Sequence, residues 1–165
     1  MSPIPARKST RLKDYDYSQS GCYFITICTY NRAKILSDIG RGGALLRPLG
    51  EIVNTQIHAL EQRYNITIYP NVIMPDHVHM IIHINRAMRR AEQSPAPTML
   101  DMVCAFKSIT TKIANKNDGC LGRQIWQRGY YDHIIRNDRD YKETAEYILN
   151  NPLRWVISRE NKTQN

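Results

Sequence analysis

MPDHVHMIIHI, from Met74 to Ile84, opens on a proline turn, alternates polar with apolar residues and ends in an apolar run. Alternation with period two predicts a β-strand, because successive side chains leave opposite faces. Val78, Met80 and Ile82 then share a core face, while His77, His79 and His83 share the other. A strand buried on both sides normally carries Val or Ile at such positions, so imidazoles there ask for a reason. The Cα atoms of His77 and His79 would lie ~6.5 Å apart at the usual strand rise. Both rings could then lean onto one cation with metal–nitrogen bonds of ~2.1 Å. The plainer alternative is two solvated histidines on an open sheet face. His83, two steps beyond Ile81, could instead touch a bound phosphate.

Upstream, YFITICTY (Tyr23 to Tyr30) is β-branched and aromatic and predicts another strand. GRGGALLRPLG (Gly40 to Gly50) predicts a loop or short turn from its glycines and Pro48. Ile52, Val53, Ile57, Leu60 and Tyr64 recur with helical period, giving a helix over Glu51 to Tyr64. ITIYPNVIM (Ile66 to Met74) is strand-like, and Pro70 within it points to a bend or an edge position.

Downstream, Asn85 to Thr98 is a basic connection carrying Arg86, Arg89 and Arg90. A helix over Met99 to Asn115 places Met102, Phe106, Ile109 and Ile113 on one stripe, with Lys107, Ser108, Thr111 and Lys112 on the other side. A strand follows at Tyr130 to Ile135. Asn137 or Asp138 caps a third helix that runs to Asn151 and is stopped by Pro152. The order β-α-β-β-α-β predicts an α+β fold, a ferredoxin-like antiparallel sheet, with an additional C-terminal helix. Residues 1–20 read as a basic arm, 21–155 as one domain, and 156–165 as a polar tail.

The 165 residues suffice for one core. The net charge of +8, spread along the chain, points to a polyanionic partner, with nucleic acid foremost. The four cysteines form no CxxC pair, which fits a reducing compartment. No apolar run is long enough to span a bilayer, and the N-terminus lacks the apolar core of a secretory signal. A cytoplasmic protein without membrane contact is expected.

A metal site needs more than two ligands. In ETAEYILNNP (Glu143 to Pro152), Tyr147 and Asn151 are one helical turn apart on one face. They could supply a nucleophile and a ligand, or Tyr147 could simply pack in the core and Asn151 cap the helix before proline.

HVHMII after MPD, then WQRGYYDHIIRN, then YILNNPLRW resemble, in that order, the single-tyrosine HUH transposases and among them the REP-associated tyrosine transposases. The resemblance runs from about Tyr23 to Trp155. It implies the same ferredoxin-like fold, with Tyr147 as catalytic nucleophile on the last helix and His77, His79 and Asn151 as metal ligands. Tyr130 and Tyr131 lack a helical partner one turn away, and Tyr141, six residues before Tyr147, points to a different helix face. Structural Zn²⁺ favours thiolates and a closed tetrahedral shell, so Mg²⁺ or Mn²⁺ fits this set of neutral ligands better. The implied chemistry is cleavage and rejoining of single-stranded DNA at hairpin or palindromic elements through a 5′-phosphotyrosine. Arg86, Arg89, Arg90, Lys107 and Lys112 are candidates for phosphate contacts. Both monomers and helix-exchanging dimers are compatible with the resemblance. Two other readings use the same fold: an HUH-type nickase, and a non-enzymatic nucleic-acid-binding module, which lacks support from an RNP1-like aromatic pattern.

Overall fold

The alternation of Tyr23 to Tyr30 becomes β1 (Gly21–Cys28) and that of the histidine segment β5 (His77–Ile84), the two central strands of a sheet. They pair antiparallel, with Phe24 opposite Ile81, Thr26 opposite His79 and Cys28 opposite His77. The computed structural model describes residues 19–40, 43–85 and 97–163. Among these, the further elements are β2 (Ser37–Gly40), β3 (Gly43–Leu46), α1 (Pro48–Tyr64), β4 (Thr67–Ile73), α2 (Met99–Asn117), β6 (Tyr131–Ile135) and α3 (Asp138–Thr163). The four-stranded sheet has the order β4-β5-β1-β6, antiparallel throughout. That is the ferredoxin-like order, as expected. Pro70 lies on the edge strand β4, where a missing N–H disrupts no central ladder, and the register slips between Ile68 and Asn71.

The sheet has two unequal sides. Tyr23, Ile25, Ile27, Val78, Met80 and Ile82 pack against α1 and α2 in the main core. The opposite side is smaller: Phe24, Ile81 and Ile135 meet Ile148 of α3. The histidine face is therefore not open to solvent. α3 covers it.

Three expectations are corrected. The segment expected to be a loop, Gly40 to Gly50, holds β3 and the start of α1, and β3 pairs with the preceding β2 from Ser37↔Leu46 to Gly40↔Gly43. Its glycines blur the alternation, and the hairpin gains its stability from packing on α1 and α3. On α2 the buried stripe continues through Thr110 and Ala114, whereas Ile109 and Ile113 are only half-buried. Trp126 draws Thr110 inward, its Nε1 donating to Thr110 Oγ1 at 2.8 Å. Finally, α3 does not stop at Pro152 but continues to Thr163, so the polar segment after Trp155 is helical as far as that residue. One missing N–H removes a single helical hydrogen bond, and Trp155, packed near His77, keeps the second half of the helix on the sheet.

Gly50 in α1 is fixed by a close approach. A Cβ there would lie 2.0 Å from the carbonyl oxygen of Leu36, which itself accepts from Arg47 N at 2.9 Å. Glycine to alanine inside a helix ordinarily gains about 1 kcal/mol. Gly50→Ala is expected instead to lose about 2 kcal/mol or more, because the clash is with backbone. Urea unfolding should show a lower midpoint; an unchanged or higher one would contradict the packing.

Candidate active site

The turn before β5 builds the site. Met74 N donates to His77 O at 2.8 Å, and the carbonyl of Asp76 accepts from both Thr29 N and Thr29 Oγ1 at 3.0 Å. His77 and His79 emerge from this anchored end onto the α3 side and are nearly buried, 6% and 5% exposed. Their Nε2 atoms face each other at 3.0 Å. Two nitrogens at that separation, each ~2.1 Å from a shared ion, subtend about 90°, the cis angle of an octahedral shell. Burial pushes the His77 imidazole below its ordinary pKa, opposed by Asp76, and brings His79 down to about 3 through burial and the neighbouring His77. Both rings are therefore neutral at pH 7, with lone pairs available to a cation.

The outer nitrogens are held differently. His77 Nδ1 donates to Asp76 Oδ1 at 2.6 Å, and Asp76 Oδ2 pairs with Arg32 Nε at 3.1 Å. A carboxylate only accepts, so His77 carries its proton on Nδ1 and presents a bare Nε2. His79 Nδ1 is 2.8 Å from Thr26 Oγ1, a hydroxyl that can donate or accept. With no ion between the rings, His79 Nε2–H can donate to His77. If His79 Nε2 were to hold a cation, the Thr26 hydroxyl would accept from His79 Nδ1–H.

α3 lies over the pair. Tyr147, Asn151 and Trp155 recur every fourth residue and share a face. The Tyr147 ring is 5.3 Å from that of His79, and the Trp155 ring 6.5 Å from that of His77. Asn151, halfway between, therefore faces the histidines. It is 9% exposed, and among the described residues its side-chain amide has no hydrogen-bond partner. Neither amide atom is among the fully buried side-chain atoms left without a partner, so the amide is open to a ligand or to solvent. Among the described residues, no three His, Cys, Asp or Glu side chains converge on a metal site. A cation held by the two histidines would need a third protein ligand of another type, and the Asn151 carbonyl oxygen is of a kind that suits Mg²⁺ or Mn²⁺.

Tyr147 is 38% exposed and meets the edge of Phe24 at 6.1 Å, so its ring is seated while solvent reaches the side chain. Tyr131 lies on the same side of the sheet, also 6.1 Å from Phe24 but beside β1 instead of over the histidines. Tyr130 packs against the main core, and Tyr141 sits by His83 at 5.5 Å, toward the other end of β5. His83 is not available to a phosphate: its Nδ1 is 3.1 Å from Cys22 Sγ and its Nε2 3.0 Å from the Tyr69 carbonyl.

The basic candidates divide. Arg86, Arg89 and Arg90 lie outside the described residues. Lys107 and Lys112 are on α2, across the sheet from the histidines. The Lys107 ammonium donates to the carbonyls of Gln127, Arg128 (3.1 Å) and Gly129 (3.2 Å), and burial lowers its pKa. The cations that do border the site are Arg32, Lys34, 5.7 Å from the Trp155 ring, and Arg154, 5.7 Å from the Tyr147 ring. Sequence reasoning missed these, together with Asp76, Thr26 and Trp155. Only Asp76, adjacent to the HVH triplet, carried a signal there.

Fold and site together define the class: the chain belongs to the IS200-like transposase family, whose model matches residues 18–151. An uncharacterised Haemophilus influenzae protein is 36% identical, over 92% of this chain and 91% of its own. The REP-associated tyrosine transposase of Escherichia coli K12 is 23% identical, over 85% of this chain and 72% of its own. The fold also matches a solved REP-associated tyrosine transposase bound to a REP hairpin, with a TM-score of 0.58 and 21% identity over 87% of this chain and 73% of that one. No helix among the described residues is long and apolar enough to cross a membrane.

Proposed function

We propose that this chain cuts and rejoins single-stranded DNA at hairpin-bearing sites through a covalent 5′-phosphotyrosine on Tyr147. The observation that carries this reading is the seating of Tyr147 over His79, rings 5.3 Å apart, with Asn151 one turn further along the same helix face. His77, His79 and Asn151 would hold a divalent cation, Mg²⁺ or Mn²⁺, which when bound supplies Lewis-acid polarisation of the scissile phosphate. Asp76 and Thr26 orient the two imidazoles, and α3 limits water at their nitrogens.

On this reading Tyr147 Oη attacks phosphorus, the P–O3′ bond breaks, and the departing strand keeps a free 3′-hydroxyl. The proton lost by the phenol balances the one gained by the 3′-oxygen. One phosphoester replaces another, so a 3′-hydroxyl can later attack the phosphotyrosine and reseal the strand without ATP. Lys34 and Arg154 line the approach and meet the phosphate charge. Hairpin DNA as the partner is supported by the likeness to REP-associated relatives, and the net charge of +8 accords with it. The place of action would be the cytoplasm, with the DNA.

A labelled single-stranded hairpin oligonucleotide, incubated with Mg²⁺ or Mn²⁺ and run on a denaturing gel, tests the reading. A shifted adduct is expected with the hairpin, abolished by chelator, and absent with a duplex of the same sequence. Binding should weaken steeply with salt, as phosphate neutralisation requires. Equal affinity for hairpin and duplex, with no adduct in either, would sink the proposal. Asn151→Ala should retain residual cleavage at high Mn²⁺, since it removes one ligand of three; full activity at low Mg²⁺ would remove Asn151 from the site.

A further inference from the structure

We infer that Arg32 is a positioning residue for metal binding: through Asp76 it holds His77 in the tautomer that leaves Nε2 bare. The inference rests on reading the histidine pair as a metal site.

Arg32 occupies a turn, Tyr30–Arg32, in which Asn31 and Arg32 both have left-handed backbone, φ +52 and +56. Asparagine tolerates that region; a long side chain such as arginine is held there by its surroundings. The surroundings are visible. Thr29, just before the turn, donates to the Asp76 carbonyl through both N and Oγ1, and Oγ1 also donates to the Ala33 carbonyl at 2.8 Å. The turn is thus fastened to the backbone of the residue whose carboxylate its arginine grips. Arg32 Nε reaches Asp76 Oδ2 at 3.1 Å, and Nη1 donates to Cys28 Sγ at 2.8 Å.

Asp76 is 5% exposed and stands between a guanidinium and an imidazole. With Oδ2 fixed by Arg32, Oδ1 can only point at His77 Nδ1, and the 2.6 Å contact fixes the ring and its proton. Without the guanidinium the carboxylate is tethered at one point and can turn away from Nδ1. His77 could then carry its proton on Nε2, where it blocks a cation. His79 has no such lock, because its Nδ1 partner is the Thr26 hydroxyl.

The test uses metal-free, ¹⁵N-labelled full-length protein, with imidazole tautomers read from long-range ¹H–¹⁵N spectra and Mn²⁺ affinity from electron paramagnetic resonance. Arg32→Asn keeps a residue type suited to the left-handed backbone and removes the guanidinium. It should mix the two tautomers of His77 and weaken Mn²⁺ binding roughly 10- to 100-fold, the usual effect of losing an outer partner of a metal-binding histidine. Arg32→Lys, which restores a cation beside Oδ2, should recover most of the affinity. Thermal melting checks that both variants fold. Unchanged His77 tautomer and Mn²⁺ affinity in Arg32→Asn would overturn the inference, and a loss confined to DNA affinity would reassign Arg32 as a phosphate contact. A wild-type protein that binds no Mn²⁺ would overturn the metal reading, while the imidazole spectra would still decide whether Arg32 sets the tautomer.

Discussion

Tyr147→Phe is expected to bind hairpin DNA like the parent and to form no covalent adduct. The ring remains against Phe24 and His79, so the packing of α3 on the sheet is preserved. Only one hydroxyl is lost, and no hydrogen bond to it is seen among the described residues, so stability should change by about 0.5 kcal/mol or less. The other phenol of α3, Tyr141, sits by His83 toward the far end of β5, so cleavage should fall by on the order of 10⁴-fold or more, the scale of removing a nucleophile. Tyr131→Phe is the informative control, because its ring lies on the same side of the sheet and is half exposed. It should keep full adduct formation.

His77→Ala and His79→Ala should each abolish metal-dependent cleavage while preserving the circular dichroism of the fold. The two should differ in stability. Removing His77 leaves Asp76 Oδ1 in a buried site without its donor, whereas removing His79 leaves a hydroxyl that can rotate to another partner. His77→Ala is therefore expected to be the less stable by about 1 kcal/mol. Cleavage at parental rates in the double variant would remove the metal from the mechanism.

The elements were plain in the sequence wherever polar and apolar residues recur with a regular period. Val78, Met80 and Ile82 against His77 and His79 is such a case, and so is the apolar period of α1. The hairpin β2–β3 was not plain, because glycines stand at its paired ends and neighbouring helices supply its stability. Pro152 misled for a related reason: a local rule predicted a helix end, and tertiary packing of Trp155 near His77 overrode it. At the site, HVH and the Tyr147–Asn151 spacing are local and readable. Arg32, Thr26 and Trp155 act across 44, 53 and 78 positions of chain, and only folding brings them to the histidines.

Tryptic mapping of the trapped protein–DNA adduct, after nuclease trimming, tests the central claim most directly. Residues 143–154, ETAEYILNNPLR, contain Tyr147 as their sole tyrosine and are released between Lys142 and Arg154. The expected result is a nucleotide joined through its 5′-phosphate to that peptide, and to no other. Nucleotide on residues 129–136, GYYDHIIR, would place the nucleophile on β6 and contradict the role of Tyr147.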